Sequence, residues 1–112
     1  MAGYFELKPA AGGQFMFNLK AGNGEVILTS ETYKEKADAL DGIASVRKQS
    51  TDDAHFERKV AKNGEPFFSL KATNGRIIGK SETYSSTVAM ENGIASVKAN
   101  APDAKLEDLT TQ

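Results

Sequence analysis

A four-residue block of chemically versatile side chains, Ser-Glu-Thr-Tyr, occurs twice, at positions 30–33 and 81–84. Each copy supplies a carboxylate, two hydroxyls and a phenol, and a lysine precedes each block, at Lys20 and Lys71. With a nearby asparagine, these groups could bind a polar small molecule once per copy. Serine and threonine also cap helices, and tyrosine often closes the edge of a small core, so a structural role is the first interpretation. The candidate polar site consists of Glu31, Tyr33, Glu82 and Tyr84.

Other residue patterns give little support for catalysis. The single histidine, His55, follows Asp52 and Asp53, and residues this close in a turn do not readily converge on one point. A metal site made from them would match no standard ligand spacing, so we interpret His55 as an exposed residue that opens a strand. The chain has no cysteine, which excludes disulfides and thiol chemistry. We predict no catalytic residue, no cofactor and no metal.

Composition is typical of an ordinary globular protein. The 112 residues are 39% hydrophobic and 26% charged, and the net charge is −1. This charge balance argues against a protein that coats nucleic acid or acidic lipid. The N-terminal stretch lacks the apolar run of a signal peptide, and no stretch approaches the ~18 apolar residues of a membrane span. We therefore expect a cytoplasmic protein that does not enter a membrane.

Two copies of one segment make up the chain. A shift of 51 positions aligns residues 5–47 with 56–98 without a gap, and 21 of the 43 pairs are identical. A unit of about 50 residues is marginally stable alone, so the two copies are expected to share one core. We predict one domain, with repeat 1 at 1–52 and repeat 2, including a C-terminal strand, at 53–112.

Hydrophobic periodicity predicts three strands and one helix in each repeat. Alternating apolar and polar residues indicate strands, and the Asn-Gly pairs at 23–24 and 74–75 indicate hairpins. Residues 53–57 resemble residues 103–107, which predicts a further strand after the second helix. The predicted strands are 4–8, 14–20, 25–30, 55–59, 65–71, 76–81 and 105–109, and the predicted helices are 34–49 and 85–100.

The stretch Gly-Ile-Ala-Ser-Val lies inside both predicted helices, at 42–46 and 93–97. A helix-interior glycine costs about 1 kcal/mol relative to alanine, so its repetition needs a reason. We expect these small residues to let the helices or the sheet approach closely. At the helix starts, Thr32 and Glu35 match a capping box, whereas Ser85 or Ser86 can cap the second helix.

These elements predict an α+β fold. Tandem βββα repeats and a C-terminal strand would form a single antiparallel sheet with two helices on one face, related by a pseudo-two-fold axis with exchanged strands. The motifs F-x-F-N-L-K-A-G-N-G-E-V-I-L-T-S-E-x-Y and G-I-A-S-V-R resemble the YegP-like family of small bacterial proteins. The resemblance covers nearly the whole chain and implies the same tandem assembly with exchanged C-terminal strands. It implies no activity and no functional residues.

The helix-free face of the sheet is a second candidate surface. In the second strand of each repeat, apolar and lysine side chains fall on the face that helices cannot cover. The candidate interaction surface consists of Met16, Lys20, Phe67 and Lys71.

Three functional hypotheses follow from the sequence. The first is a non-catalytic structural or interaction module, a monomer or weak homodimer that binds an unknown protein partner. The second is a single-stranded nucleic-acid-binding protein that uses the open sheet face, although its net charge does not favour it. The third is a small-molecule binder at the two Ser-Glu-Thr-Tyr regions. The second repeat has Gly79 in place of Leu28 and Glu91 in place of Leu40, so the two halves are not strictly equivalent.

Overall fold

The computed structural model describes residues 3–110 of the chain. Within this range it contains seven strands and two helices, close to the predicted bounds. The strands are β1 Tyr4–Ala10, β2 Gln14–Lys20, β3 Val26–Thr29, β4 Phe56–Val60, β5 Pro66–Lys71, β6 Ile77–Lys80 and β7 Lys105–Asp108, and the helices are α1 Lys36–Gln49 and α2 Thr87–Asn100.

Alternation of side chains explains the strands, and glycine explains the hairpins. In β1, Phe5 and Leu7 are fully buried, whereas Glu6 between them is partly exposed. The hairpin after β2 ends with Gly24 at φ 86°, a left-handed conformation that glycine adopts without strain. The side chain of Asn23 stabilises this turn by accepting a hydrogen bond from the backbone N–H of Glu25 at 3.0 Å. The predicted Asn-Gly hairpin is thus confirmed.

All seven strands form one sheet in the order β4-β5-β6-β3-β2-β1-β7. The equivalent strands β3 and β6 meet antiparallel at its centre, with Thr29 opposite Lys80, so a pseudo-two-fold axis passes between them. Strand β7 leaves repeat 2 and pairs with β1 of repeat 1, which confirms the exchanged strand. The prediction of a fully antiparallel sheet was wrong, because β7 runs parallel to β1. Helix α2 leads from β6 to β7, and β7 runs antiparallel to β6 and therefore in the same direction as β1.

Both helices pack on one face of the sheet, above the fully buried side chains of the central strands. Helix α1 contacts β2 of its own repeat and β5 and β6 of the other, and α2 contacts β5 and β3. Each helix therefore spans the junction between the repeats. Neither is long and apolar enough to cross a membrane, and the same holds for every helix within residues 3–110.

The two helices begin differently. The hydroxyl of Ser86 accepts a hydrogen bond from the N–H of Ala89 at 3.1 Å, which confirms one of the two predicted caps. The predicted capping box at the start of α1 was wrong, since α1 follows Glu35, whose side chain makes no capping hydrogen bond. Tyr33, two residues before Glu35, is instead held in an extended conformation by two backbone hydrogen bonds to Phe15, each 2.7 Å long.

Near the pseudo-two-fold axis, one repeat has a leucine where the other has a glycine. Leu28 of β3 is fully buried. A Cβ atom at Gly79 of β6 would lie 2.8 Å from Cγ of Leu28, closer than such atoms ever approach. The space near the axis therefore admits one leucine, which explains why the second repeat has glycine here.

Candidate functional site

Two equivalent clefts lie between the repeats, each bounded by the helix of one repeat and the Asn-Gly hairpin of the other. Cleft 1, of about 330 Å³, combines the start of α1 with the β5–β6 hairpin. Cleft 2, of about 380 Å³, combines α2 with the β2–β3 hairpin. The residues that define cleft 1 are Glu31, Tyr33, Asp38, Asp41, Gly42, Ser45, Asn74, Arg76 and Ile78. Those that define cleft 2 are Asn23, Glu25, Ile27, Tyr84, Ala89, Asn92, Gly93 and Ser96.

A tyrosine packed against a helix glycine forms the inner wall of each cleft. Tyr33 stacks on Phe17 with the ring centroids 6.3 Å apart and the planes 8° apart. A Cβ atom at Gly42 would lie 2.6 Å from the Tyr33 hydroxyl and 3.0 Å from Cε2 of Phe17. Glycine is thus required because the tyrosine ring occupies the space beside the helix.

The same arrangement recurs in cleft 2. Tyr84 stacks on Phe68 at 6.3 Å and 12°, and an added Cβ at Gly93 would lie 2.7 Å from Cζ of Tyr84. The expected packing role of the repeated glycine is confirmed, but its neighbours were only partly foreseen. The small residues admit a tyrosine of their own repeat, in addition to the sheet.

Burial keeps both phenols in their neutral form. It is the main cause that raises the pKa of Tyr33, with Glu31 and Asp38 adding to the shift and Arg76 opposing it. Burial also raises the pKa of Tyr84. At neutral pH each hydroxyl therefore remains protonated and can donate a hydrogen bond to a ligand, whereas neither phenol is prepared to act as a base.

The two clefts differ most in charge. Cleft 1 contains the carboxylates of Glu31, Asp38 and Asp41 and the guanidinium of Arg76. Among residues 3–110, none of these four groups forms an ion pair within 4.0 Å. At the equivalents of the two aspartates and the arginine, cleft 2 has Ala89, Asn92 and Glu25. Cleft 1 thus offers charged groups of both signs, and cleft 2 offers mainly amide and hydroxyl groups.

Comparison with known proteins places this architecture in a family. A family model described as a domain of unknown function, DUF1508, matches residues 10–57 and again residues 61–108. The chain belongs to the DUF1508 family. A UPF0339 protein of Bordetella pertussis is 62% identical over 110 residues, with 98% of each chain covered. The UPF0339 protein YegP of Shigella flexneri is 53% identical and covers 98% of this chain and 100% of its own length.

Two solved structures share the fold of this DUF1508 protein. The solution structure of a protein of unknown function, yegP from E. coli, has a TM-score of 0.94 and 51% identity, with 100% of this chain and 97% of that chain covered. A UPF0339 protein from Shewanella oneidensis has a TM-score of 0.92 and 51% identity, with coverages of 97% and 92%. The resemblance to the YegP-like family is confirmed, together with the tandem α+β organisation.

In each Ser-Glu-Thr-Tyr block of this DUF1508 protein, the serine is buried, whereas the glutamate and threonine are exposed. The hydroxyl of Ser30 accepts a hydrogen bond from the N–H of Phe17 at 2.8 Å and donates one to the carbonyl of Glu31 at 2.7 Å. Ser81 makes the equivalent pair of hydrogen bonds. These buried serines therefore join neighbouring strands and are not available as nucleophiles.

The structure brings together only part of the candidate polar site. Glu31 and Tyr33 line cleft 1 and Tyr84 lines cleft 2, whereas Glu82 lines a separate small pocket beside Phe67. The hairpin asparagine of each cleft, Asn74 or Asn23, comes from the repeat that does not supply the tyrosine, so the pattern within one repeat does not reveal it. The pseudo-two-fold axis was the signal that could have identified Asn74 and Arg76 as partners of Tyr33.

The two lysines considered for the polar site lie on the opposite, helix-free face. Lys20 is 3.1 Å from Glu6, and Lys71 is 3.0 Å from Glu57. The paired Glu6 raises the pKa of Lys20. Both lysines are therefore compensated by glutamates of the neighbouring strand and do not contribute to either cleft.

The candidate interaction surface forms two separate groups. Met16 and Phe67 are both partly buried, and β3 and β6 lie between their strands. Three strand spacings separate them by about 14 Å perpendicular to the strands, and they are also displaced along the strands, on opposite sides of the row formed by Asn18 and Ser69. Each lies opposite a lysine, Lys8 for Met16 and Lys59 for Phe67. A contiguous apolar patch is not formed, and binding by these residues stays a prediction.

His55 is less exposed than predicted. Only 21% of its side chain is exposed, and Nδ1 lies 3.0 Å from the carbonyl oxygen of Lys71. The carboxylate of Asp52 accepts a hydrogen bond from the N–H of Ala54 and lies 3.9 Å from the ring of His55. Within residues 3–110, no cluster of three histidine or acidic side chains is placed to hold a metal ion.

Proposed function

We propose that this DUF1508 protein is a non-catalytic binding module that holds a small polar ligand in cleft 1. The proposal rests on one observation: residues of both repeats line the cleft around Tyr33, with unpaired carboxylates on one wall and Arg76 on the other. The volume of the cleft falls in the range of small-molecule sites. The protein would bind without reaction, since the buried serines are fully hydrogen-bonded and the phenols stay neutral.

The charges in cleft 1 favour a ligand that carries an amino group and an acidic group. Asp38 and Asp41 lie three residues apart on the first turns of α1 and can share one ammonium group. Arg76 on the facing hairpin can pair with a carboxylate or phosphate. The Tyr33 hydroxyl, between these walls, can donate a further hydrogen bond.

Titration followed by amide NMR tests this proposal. A panel of amino acids, diamines and aminophosphonates is added to the protein, and the resonances around Tyr33 and Arg76 are monitored. We expect saturable shifts at cleft 1 for at least one zwitterion. Asp38→Ala with Asp41→Asn, which installs the residues of cleft 2, should weaken binding at least tenfold.

A matched variant separates specific recognition from general charge. Asp103→Asn changes an exposed carboxylate outside cleft 1 and should leave binding unchanged. Equal shifts in both variants, or no saturable shift anywhere in the panel, would contradict the proposal.

A further inference from the structure

The sheet has two similar edges but only one strand to cover them. Strand β7 runs along β1 in parallel, whereas β4 has β5 on one side and, within residues 3–110, no strand on the other. Strands β1 and β4 are equivalent in the two repeats and share three of four residues, Phe-Glu-Leu-Lys at 5–8 and Phe-Glu-Arg-Lys at 56–59. We name the uncovered side of β4 the open edge.

The covered edge shows how a strand is held there. The N–H of Leu109 donates a hydrogen bond to the carbonyl of Leu7 at 2.8 Å, and the guanidinium of Arg47 donates one to the carbonyl of Ala104 at 2.7 Å. Asp108 at the end of β7 pairs with Lys36 of α1 at 2.6 Å. Strand β7 is thus held by backbone pairing, by the hydrogen bond from Arg47 to a carbonyl and by the ion pair between Lys36 and Asp108.

The open edge lacks the strand and keeps one of the two cations, since Thr87 replaces Lys36. Lys98 is the equivalent of Arg47, and Arg58 is the equivalent of Leu7. Both contact the carboxylate of Asp53, at 2.6 Å and 3.1 Å, and Arg58 also binds Glu91 through two nitrogens, at 2.6 Å and 2.9 Å. The side chain of Asp53 is 55% exposed and comes from the turn before β4, so an incoming carboxylate can replace it.

We propose that the open edge binds an extended segment of a partner protein, which adds to the sheet as a strand parallel to β4. On the covered edge, Leu106 lies opposite Phe5 and Asp108 lies opposite Leu7. The equivalent positions beside β4 face Phe56 and Arg58. The partner segment therefore carries an apolar residue and, two positions later, a carboxylate. Such strand addition combines main-chain hydrogen bonds with side-chain selectivity.

At the open edge Arg58 can take the place that Lys36 has at the covered edge, because Thr87 stands at the position equivalent to Lys36. The carboxylate of the incoming strand would meet the guanidinium of Arg58, where β7 meets the apolar Leu7. A second copy of this chain is a poor occupant, because its β7 would have to leave its own β1, so one paired edge is lost for each one gained. An independent segment with the β7 pattern has no such cost.

A peptide with the sequence of residues 103–110 serves as the probe, with both ends capped and the full-length protein as the receptor. Amide NMR should show saturable shifts across residues 56–60, with half-saturation below about 1 mM, and unchanged β1 and β7 resonances. Replacing the peptide aspartate opposite Arg58 by lysine should weaken binding at least fivefold. Asp53→Ala in the protein should strengthen binding, because it removes the carboxylate that competes with the peptide for Arg58 and Lys98.

Arg58→Leu is the matched receptor variant, since it installs the residue of repeat 1. It should bind the aspartate and lysine peptides equally well, whereas a mere loss of folding would remove both. The proposal is overturned by three outcomes: no saturable shift at β4 up to about 2 mM peptide, shifts confined to β1 and β7, or β4 shifts that depend on protein concentration without peptide. The second outcome would indicate exchange into the covered edge, and the third would indicate self-association.

Discussion

The two repeats share a backbone plan and differ in side chains at three kinds of place. Near the axis, Leu28 faces Gly79, because one leucine fills the space for both. At the sheet edges, Leu7 is buried where β7 covers β1, whereas its equivalent Arg58 is exposed on the uncovered β4. In both places a difference in surroundings explains the difference in residue, as expected for an uncovered edge that is protected by charge.

In the clefts, by contrast, a difference in surroundings does not explain the difference in residues. Both have the same walls, formed by a helix, a tyrosine and a hairpin, yet the residues that differ are charged in cleft 1 and largely neutral in cleft 2. Packing does not require Asp38, Asp41 or Arg76, which are all exposed. The comparison therefore identifies the charged residues of cleft 1 as the difference that packing does not explain.

The largest expected effect concerns the axis. Leu28→Gly should destabilise the fold by about 3–5 kcal/mol, since it removes a fully buried side chain and leaves a cavity. Gly79→Leu should cost about 1–3 kcal/mol or more, because it places a second leucine in filled space. The double variant Leu28→Gly, Gly79→Leu exchanges the two residues and should recover most of the loss. Urea denaturation measures all three, and additive losses in the double variant would contradict the one-leucine explanation.

Next in size is the contact between glycine and tyrosine. Gly42→Ala should destabilise the protein by about 1–3 kcal/mol, although alanine favours an exposed helix by about 1 kcal/mol. Tyr33→Phe should rescue this variant well, because the remaining contacts of the new Cβ are 3.0 Å and longer. In repeat 2, Tyr84→Phe should rescue Gly93→Ala less, since Cζ would still lie 2.7 Å away. Stabilisation by Gly42→Ala alone would show that the tyrosine does not restrict this site.

Sequence patterns sufficed to predict the elements, the internal axis and the exchanged strand. They did not predict that Tyr33 fits beside Gly42, because that contact depends on the extended backbone pairing of Tyr33 with Phe15. They likewise missed that Arg76 and Asp38 line the same cleft, since the two come together only after the repeats pack. The parallel direction of β7 depends on its pairing with β1 of the other repeat, which hydrophobic alternation does not encode.

A gain of binding provides a smaller but more specific test of the clefts. Ala89→Asp, Asn92→Asp and Glu25→Arg give cleft 2 the charges of cleft 1. We expect a ligand that binds cleft 1 to bind this variant at two sites, with the new site within about tenfold of the original affinity. Calorimetric stoichiometry distinguishes one site from two. If stoichiometry stays at one while cleft 1 remains intact, the differing charges do not determine binding.

Acid should produce the smallest effect and should distinguish the two edges. Lys36 is the main cause that lowers the pKa of Asp108 to about 2, and Arg58 followed by Lys98 lowers that of Asp53 to about 2. Both pKa values lie below the ordinary value of 3.8 in the folded state, so each carboxylate stabilises the fold above about pH 4, and this contribution is lost as the pH falls towards 2. Asp53 is exposed and Asp108 is partly exposed, so the change in stability should be small.

The readout that separates the edges is hydrogen exchange. Asp108→Asn should speed amide exchange in β7 at pH 7, because Asp108 holds a strand through Lys36. Asp53→Asn should leave exchange in β4 unchanged. Strand β4 is paired with β5, and the carboxylate of Asp53 only pairs with the side chains of Arg58 and Lys98. At pH 2.5 the difference between the Asp108→Asn variant and the unmodified protein should be smaller than at pH 7, because part of the stabilisation by the Asp108 carboxylate is lost below its ordinary pKa of 3.8. Equal acceleration of β4 and β7 in the two variants would mean that the edges depend on their carboxylates in the same way.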